Sequence, residues 1–131
     1  MQTSGVAPLI AVRDVARSVA FYQRLGFAPE VQWPTYARLV AGDDAVLHIA
    51  GQGQAPPDRP TVALTAPAPD AVAVTAMVVL QVPDCRRACT ELAASGVQPL
   101  TEPAVPAWGG EVRAFVCDPD GHLIELNERL P

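Results

Sequence analysis

Few side chains in this sequence could do chemistry, and their spacing narrows what that chemistry can be. All nine basic residues are arginine and none is lysine, so a Schiff-base mechanism or a phosphate-loop lysine is excluded. The thiols are Cys85, Cys89 and Cys117. Cys85 and Cys89 stand four apart, the spacing of one helix face, and zinc would need two more ligands from a chain with only two histidines. They are read as structural thiols. An odd cysteine count argues against a disulfide framework and for a reducing compartment. His48 lies in an apolar run, AVLHIA, and Glu125 in another, LIELN. A carboxylate in such a run must face an open surface or pair, with His48 or an arginine. A His–carboxylate pair would be an acid–base couple or a structural pair. His122, directly after Gly121, reads as a surface turn residue.

The elements that carry these residues show themselves through an internal repeat. VAPLIAVRD (6–14) resembles AMVVLQVPD (76–84), and VARSVAFYQRLG (15–26) aligns with CRRACTELAASG (85–96), all at an offset of 70. Asp14 and Asp84 suit helix N-caps, and Gly26 and Gly96 suit the left-handed position past each helix end. Val15, Val19, Phe21 or Leu25, and Tyr22 form one apolar stripe, and Cys85, Ala88, Cys89, Leu92 and Ala93 the other. Arg86-Arg87 reads as a solvated helix start. DDAVLHIA (43–50) matches DGHLIELN (120–127) at an offset of 77, which sets His48 opposite Glu125 in the repeat. The seven extra residues fall between Gly96 and Asp120, where Pro99, Pro103 and Pro106 mark a longer loop. TYARLVA (35–41) and EVRAFVC (111–117) are strand candidates. Asp118-Pro119-Asp120-Gly121 is a strong turn signal.

Each half therefore reads as strand, helix, then two or three strands: module one over about 5–50, a Pro-rich linker over about 51–75 with one short strand around Val62 to Thr65, and module two over about 76–128. One domain of 131 residues can bury a real core, whereas a half of about 50 residues is small to stand alone. A net charge of −5 without clustered lysine and arginine argues against nucleic acid. No apolar run reaches the ~20 residues of a membrane span, and residues 1–8 show no export signal, so a cytoplasmic location is the expectation. An acidic field favours capture of cationic ligands.

With these motifs on the page, the chain resembles the vicinal oxygen chelate superfamily of glyoxalase I, extradiol dioxygenases, and fosfomycin- and bleomycin-resistance proteins. The resemblance rests on Val12-x-Asp14 before a helix holding Phe21-Tyr22 and Leu25-Gly26-Phe27, and on Asp118-Pro119-Asp120-Gly121 with Ile124-Glu125-Leu126 after it. It implies an α+β fold of two paired βαβββ modules, each a curved sheet around a cleft, often in a homodimer. It also implies four metal-ligand positions, on the first and last strand of each module. Here these hold Ala7, His48, Met77 and Glu125, so two of the four keep a possible ligand. That pattern is closest to the metal-lacking bleomycin-resistance type.

Period-2 alternation then sorts the strands. Ala7, Leu9, Ala11, Val46, His48 and Ala50 share the cleft face of module one. Met77, Val79, Gln81, Leu123, Glu125 and Asn127 share that of module two. Ile10, Val12, Val78, Leu80, Val82, Leu47, Ile49, Ile124 and Leu126 lie on the opposite, helix-covered faces. The cleft is mostly apolar, with His48, Glu125 and Gln81 as polar points, the make-up of a small-molecule pocket. Trp33 and Trp108 sit in loops, where they either cap the core or stack on a planar ligand. The facing of Tyr36, Arg38 and Arg113 is left open.

The resulting expectation is a small-molecule binder with no cofactor. It would hold an aromatic or amphipathic compound, an antibiotic among the candidates, through His48, Glu125, Trp33, Trp108, Met77 and Gln81. The alternative is a lyase or dioxygenase in which His48 and Glu125 bind Ni, Zn, Fe or Mn. The expected partners are a small molecule and a second copy of the chain, with neither nucleic acid nor membrane.

Overall fold

The computed structural model describes residues 1–53, 58 and 62–131. The chain divides into two compact units, Met1–Pro67 and Ala68–Pro131.

The first unit runs β1 (Leu9–Val12), α1 (Val15–Arg24), β2 (Ala28–Trp33), β3 (Tyr36–Ala41) and β4 (Ala45–Gly51). Its sheet has the order β1-β4-β3-β2, with β1 parallel to β4 and the other pairs antiparallel. The second unit runs β5 (Val78–Gln81), α2 (Cys85–Ala94), β6 (Glu111–Cys117) and β7 (Leu123–Arg129), with sheet order β5-β7-β6. The long 97–110 segment takes the place of a β2 equivalent and touches β6 through one bridge, Ala104 to Arg113, and through Leu100 N–H to the Phe115 carbonyl at 2.7 Å. The expected strand around Val62 to Thr65 reduces, among the described residues, to a bridge between Leu64 and Gly53.

The caps lie where the aspartates stand. The Asp14 and Asp84 carboxylates accept the N–H of Arg17 and Arg87, each at 2.9 Å. Such a cap is worth about 1 kcal/mol over alanine. Gly26 and Gly96 end the helices at φ 91° and 89°, where a Cβ would be strained. The α2 start has a second support, because Glu128 accepts the Cys85 N–H at 2.8 Å.

One face of each sheet is sealed by its helix. Val15, Val19, Phe21 and Tyr22 of α1 are buried with Val12, Leu39, Leu47 and Ile49, and the Tyr22 ring meets Phe21 and Phe27 edge-on at 5.2 and 6.0 Å. Cys85, Cys89 and Leu92 of α2 are buried with Ala114, Val116, Ile124 and Leu126. Burial pushes the Cys85 thiol up to about 12, and Cys89 beside it adds to the effect. Both thiols act as small core hydrophobes. Cys117 is exposed.

On the opposite sheet faces exposure is mixed, with Ala11, Glu125 and Asn127 buried. Leu9 and Val79 are each nearly half exposed at matching repeat positions. The strand register repeats the sequence offsets: Leu9 pairs with His48 as Val79 pairs with Glu125, and Ala11 with Ala50 as Gln81 with Asn127.

Candidate functional site

The open face of the first unit presents His48 at the centre of β4, flanked by Leu9 on β1 and Arg38 on β3. Tyr36, one pleat along β3, is hydrogen-bonded through its hydroxyl to His48 Nδ1 at 2.6 Å. The pair forms with either partner donating: a hydroxyl donor puts the ring proton on Nε2, and an Nδ1–H donor leaves Nε2 as an acceptor. Trp33 stands opposite Tyr36 across the β2–β3 turn, with ring centroids 5.6 Å apart, and Tyr36 and His48 rings follow at 6.0 Å. The three rings form a stepped row. Trp33 is 62% exposed, so its apolar area is free for contact. Arg38 pairs with Glu30 of β2.

Trp33 has a second role. With Gln32, Pro34 and Thr35 it walls a concavity of about 750 Å³. Arg13 to Ala16 at the start of α1, and Gly51 and Gln52, line it as well. His48 is not among its lining residues. Arg13 reaches across to the Pro67 carbonyl.

The open face of the second unit repeats the arrangement with charged groups. Arg113 occupies the strand position of Tyr36, and Glu125 that of His48. Arg113 Nη2 donates to Glu125 Oε2 at 2.9 Å. Asn127 Nδ2 donates to Glu125 Oε1 at 2.8 Å and to Glu111 Oε2 at 2.6 Å. The Glu125 side chain is 6% exposed, so its charge is held by Arg113 and Asn127 rather than by water. The Arg113 guanidinium lies over the rings of Trp108 and Phe115, at 5.3 and 5.0 Å. Trp108, 71% exposed, donates its indole N–H to Glu111 Oε1 at 3.0 Å.

The hydrogen bond from Asn127, then that from Trp108, holds the Glu111 carboxyl below the usual carboxylate range. A depressed folded value adds stability above the unfolded value, and that contribution is lost as pH falls through the folded one. Acid titration should therefore release the Trp108 indole and shift its fluorescence together with a fall in stability. In Glu111→Gln that part of the pH dependence should be missing.

The structure thus places four of the six expected contact residues in two local groups: Trp33 with His48, and Trp108 with Glu125. Gln81 is exposed beside Asn127, and Met77, 43% exposed, just precedes β5. Among the described residues neither side chain makes a hydrogen bond. Tyr36 and Arg113 are the residues that sequence reasoning did not place; the repeat register, carried from β4 and β7 to β3 and β6, would have found both. His122 is half-buried, its backbone N–H held by Asp118 Oδ1 at 2.9 Å in the turn before β7.

The same geometry tests the fit to a metal. His48 Nδ1 is hydrogen-bonded to Tyr36, which leaves Nε2; the Glu125 oxygens accept from Arg113 and Asn127, and Ala7 and Met77 bring no hard donor. Among the described residues no three His, Cys, Asp or Glu side chains converge on a common point. Of the four positions, only His48 and Glu125 carry side chains that could ligate a divalent ion. No helix among the described residues is long and apolar enough to cross a membrane.

Residues 6–126 match the family model of the Glyoxalase/Bleomycin resistance protein/Dioxygenase superfamily. The chain belongs to this superfamily. Among solved structures, its fold is similar to a bleomycin resistance determinant encoded on the transposon Tn5, at TM-score 0.72 and 24% identity over 98% of this chain and 100% of that one. It is also similar to a bleomycin-binding protein complexed with bleomycin, at TM-score 0.70 and 24% identity over 98% and 100%. A superfamily member from Nocardioides gives TM-score 0.74 and 20% identity over 99% and 85%. No curated protein matches the chain. In the superfamily's terms, the α+β fold with its two helices and its sheets of four and three strands is the expected one.

Proposed function

We propose that the protein binds a small aromatic or amphipathic molecule without a metal, an antibiotic of the bleomycin kind being the first candidate. The observation that carries this reading is the pairing of an exposed tryptophan with a hydrogen-bonded polar pair on the open face of each unit: Trp33 with Tyr36–His48, and Trp108 with Arg113–Glu125. Exposed indoles offer stacking area, and the polar groups beside them, His48 and Glu125 first, orient a ligand by hydrogen bonds. Met77, Gln81, Leu9 and Val79 add apolar and polar edge to these faces. The bleomycin-binding neighbour supports the ligand class. Ala7 and Met77, at two of the four ligand positions of the superfamily's metal enzymes, favour this reading over a metal-dependent lyase or dioxygenase.

Metal content and a melting titration against Ni, Zn, Fe(II) and Mn test it. A ligand at ~100 times its dissociation constant adds about 2.7 kcal/mol, well above detection. The expected result is substoichiometric metal and no thermal shift. One tightly held ion per chain, with a clear shift, would refute the metal-free reading and direct the work to lyase and dioxygenase substrates.

A further inference from the structure

Arg113 is an unusual occupant of its place. Its guanidinium lies over two aromatic rings and donates to one nearly buried carboxylate, the set of contacts by which proteins recognise a foreign guanidinium or ammonium. Yet the seat is imperfect. Among the described residues Arg113 Nε is buried with no hydrogen-bond partner, and Glu111 Oε1, with which it pairs in charge, stands 3.8 Å away, beyond hydrogen-bond range. Glu111 is already engaged by Trp108 and Asn127, with Arg129 opposite it in the ladder. The side chain reaches this place from β6 on a long stem and remains 21% exposed beneath a tryptophan that is itself mostly exposed. The two rings and the carboxylate that hold it belong to other residues, Trp108, Phe115 and Glu125.

We propose that Trp108, Phe115 and Glu125 form a cation receptor whose resident in the free protein is the chain's own Arg113, and that the planar amidinium or guanidinium group of a ligand takes its place. This deepens the small-molecule reading and rests on it for the biological ligand. It assigns that ligand a planar cationic end and makes Arg113 a built-in competitor. Arg113 then sets selectivity, because only a cation that makes better contacts than its own guanidinium displaces it.

Arg113→Ala tests this directly, with benzamidine and its neutral near-isostere benzamide as probes and the Trp108 indole N–H resonance as reporter. The variant should bind benzamidine at least about tenfold more tightly than the native protein, while benzamide distinguishes neither. Low-millimolar guanidinium chloride should raise the variant's melting temperature relative to sodium chloride at equal ionic strength. A folded variant that binds benzamidine no better than the native protein, or binds benzamide equally well, overturns the proposal. If the variant does not fold, the native protein decides: excess benzamidine must move the Trp108 resonance and leave that of Trp33, benzamide must move neither, and an unmoved Trp108 overturns it. A native protein whose Trp108 responds to benzamidine but that binds neither bleomycin nor another aromatic antibiotic would refute the function proposed above and leave the receptor standing.

Discussion

Glu125→Ala is expected to lower the unfolding free energy by about 2–3 kcal/mol, measured by urea denaturation. Breaking a fully buried ion pair costs about 3–5 kcal/mol, because the partner's charge is left without compensation. Here the lower range applies, since the Arg113 side chain keeps 21% of its exposure and can recruit water. Asn127 loses one of its two carboxylate acceptors but retains Glu111. Glu125→Gln keeps the shape and an acceptor oxygen, so its cost should be near 1 kcal/mol. Equal losses for the two variants would show that the charge is not what the network holds. Ligand binding should fall in both, because each removes the carboxylate of the second unit's open face.

The other large effect separates two neighbours on one strand. Ile49→Ala should cost about 3–4 kcal/mol, as Ile49 is fully buried against α1 and its loss leaves a cavity the sheet cannot close. His48→Ala, one residue earlier on the opposite face, should cost within about 1 kcal/mol, since only the hydrogen bond to Tyr36 is lost from a half-exposed site. The order should reverse for function: ligand-induced quenching of tryptophan fluorescence should weaken in His48→Ala and persist in Ile49→Ala below its melting point. A His48→Ala variant as unstable as Ile49→Ala would make the histidine a core residue.

That contrast rests on a feature legible in the sequence. Alternation along AVLHIA separates Leu47 and Ile49 from His48 with no help from structure, and the 70- and 77-residue offsets become the registers Leu9–His48 and Val79–Glu125. The aspartate caps and glycine stops were equally plain, because each answers a local backbone need. Strand β2 was not distinct. APEVQW has no period-2 burial, as an edge strand with a register shift between Pro29 and Val31 is exposed almost throughout. The Glu125 partner was narrowed only to His48 or an arginine. Arg113 is chosen by the register of β6 on β7, which becomes legible only when the repeat offset of β4 and β7 is extended to β3 and β6. The concavity beside Trp33 joins a helix start to a strand turn distant in sequence, and no motif announces it.

The most direct test of the account is a tryptophan fluorescence titration of chelator-stripped protein with metal-free bleomycin, the ligand held by one of its structural neighbours. The account predicts saturable quenching, lost with Trp108→Phe or His48→Ala and unchanged when Ni, Zn, Fe(II) or Mn is supplied to the protein beforehand. Binding that appears only after one of these ions is restored would contradict it.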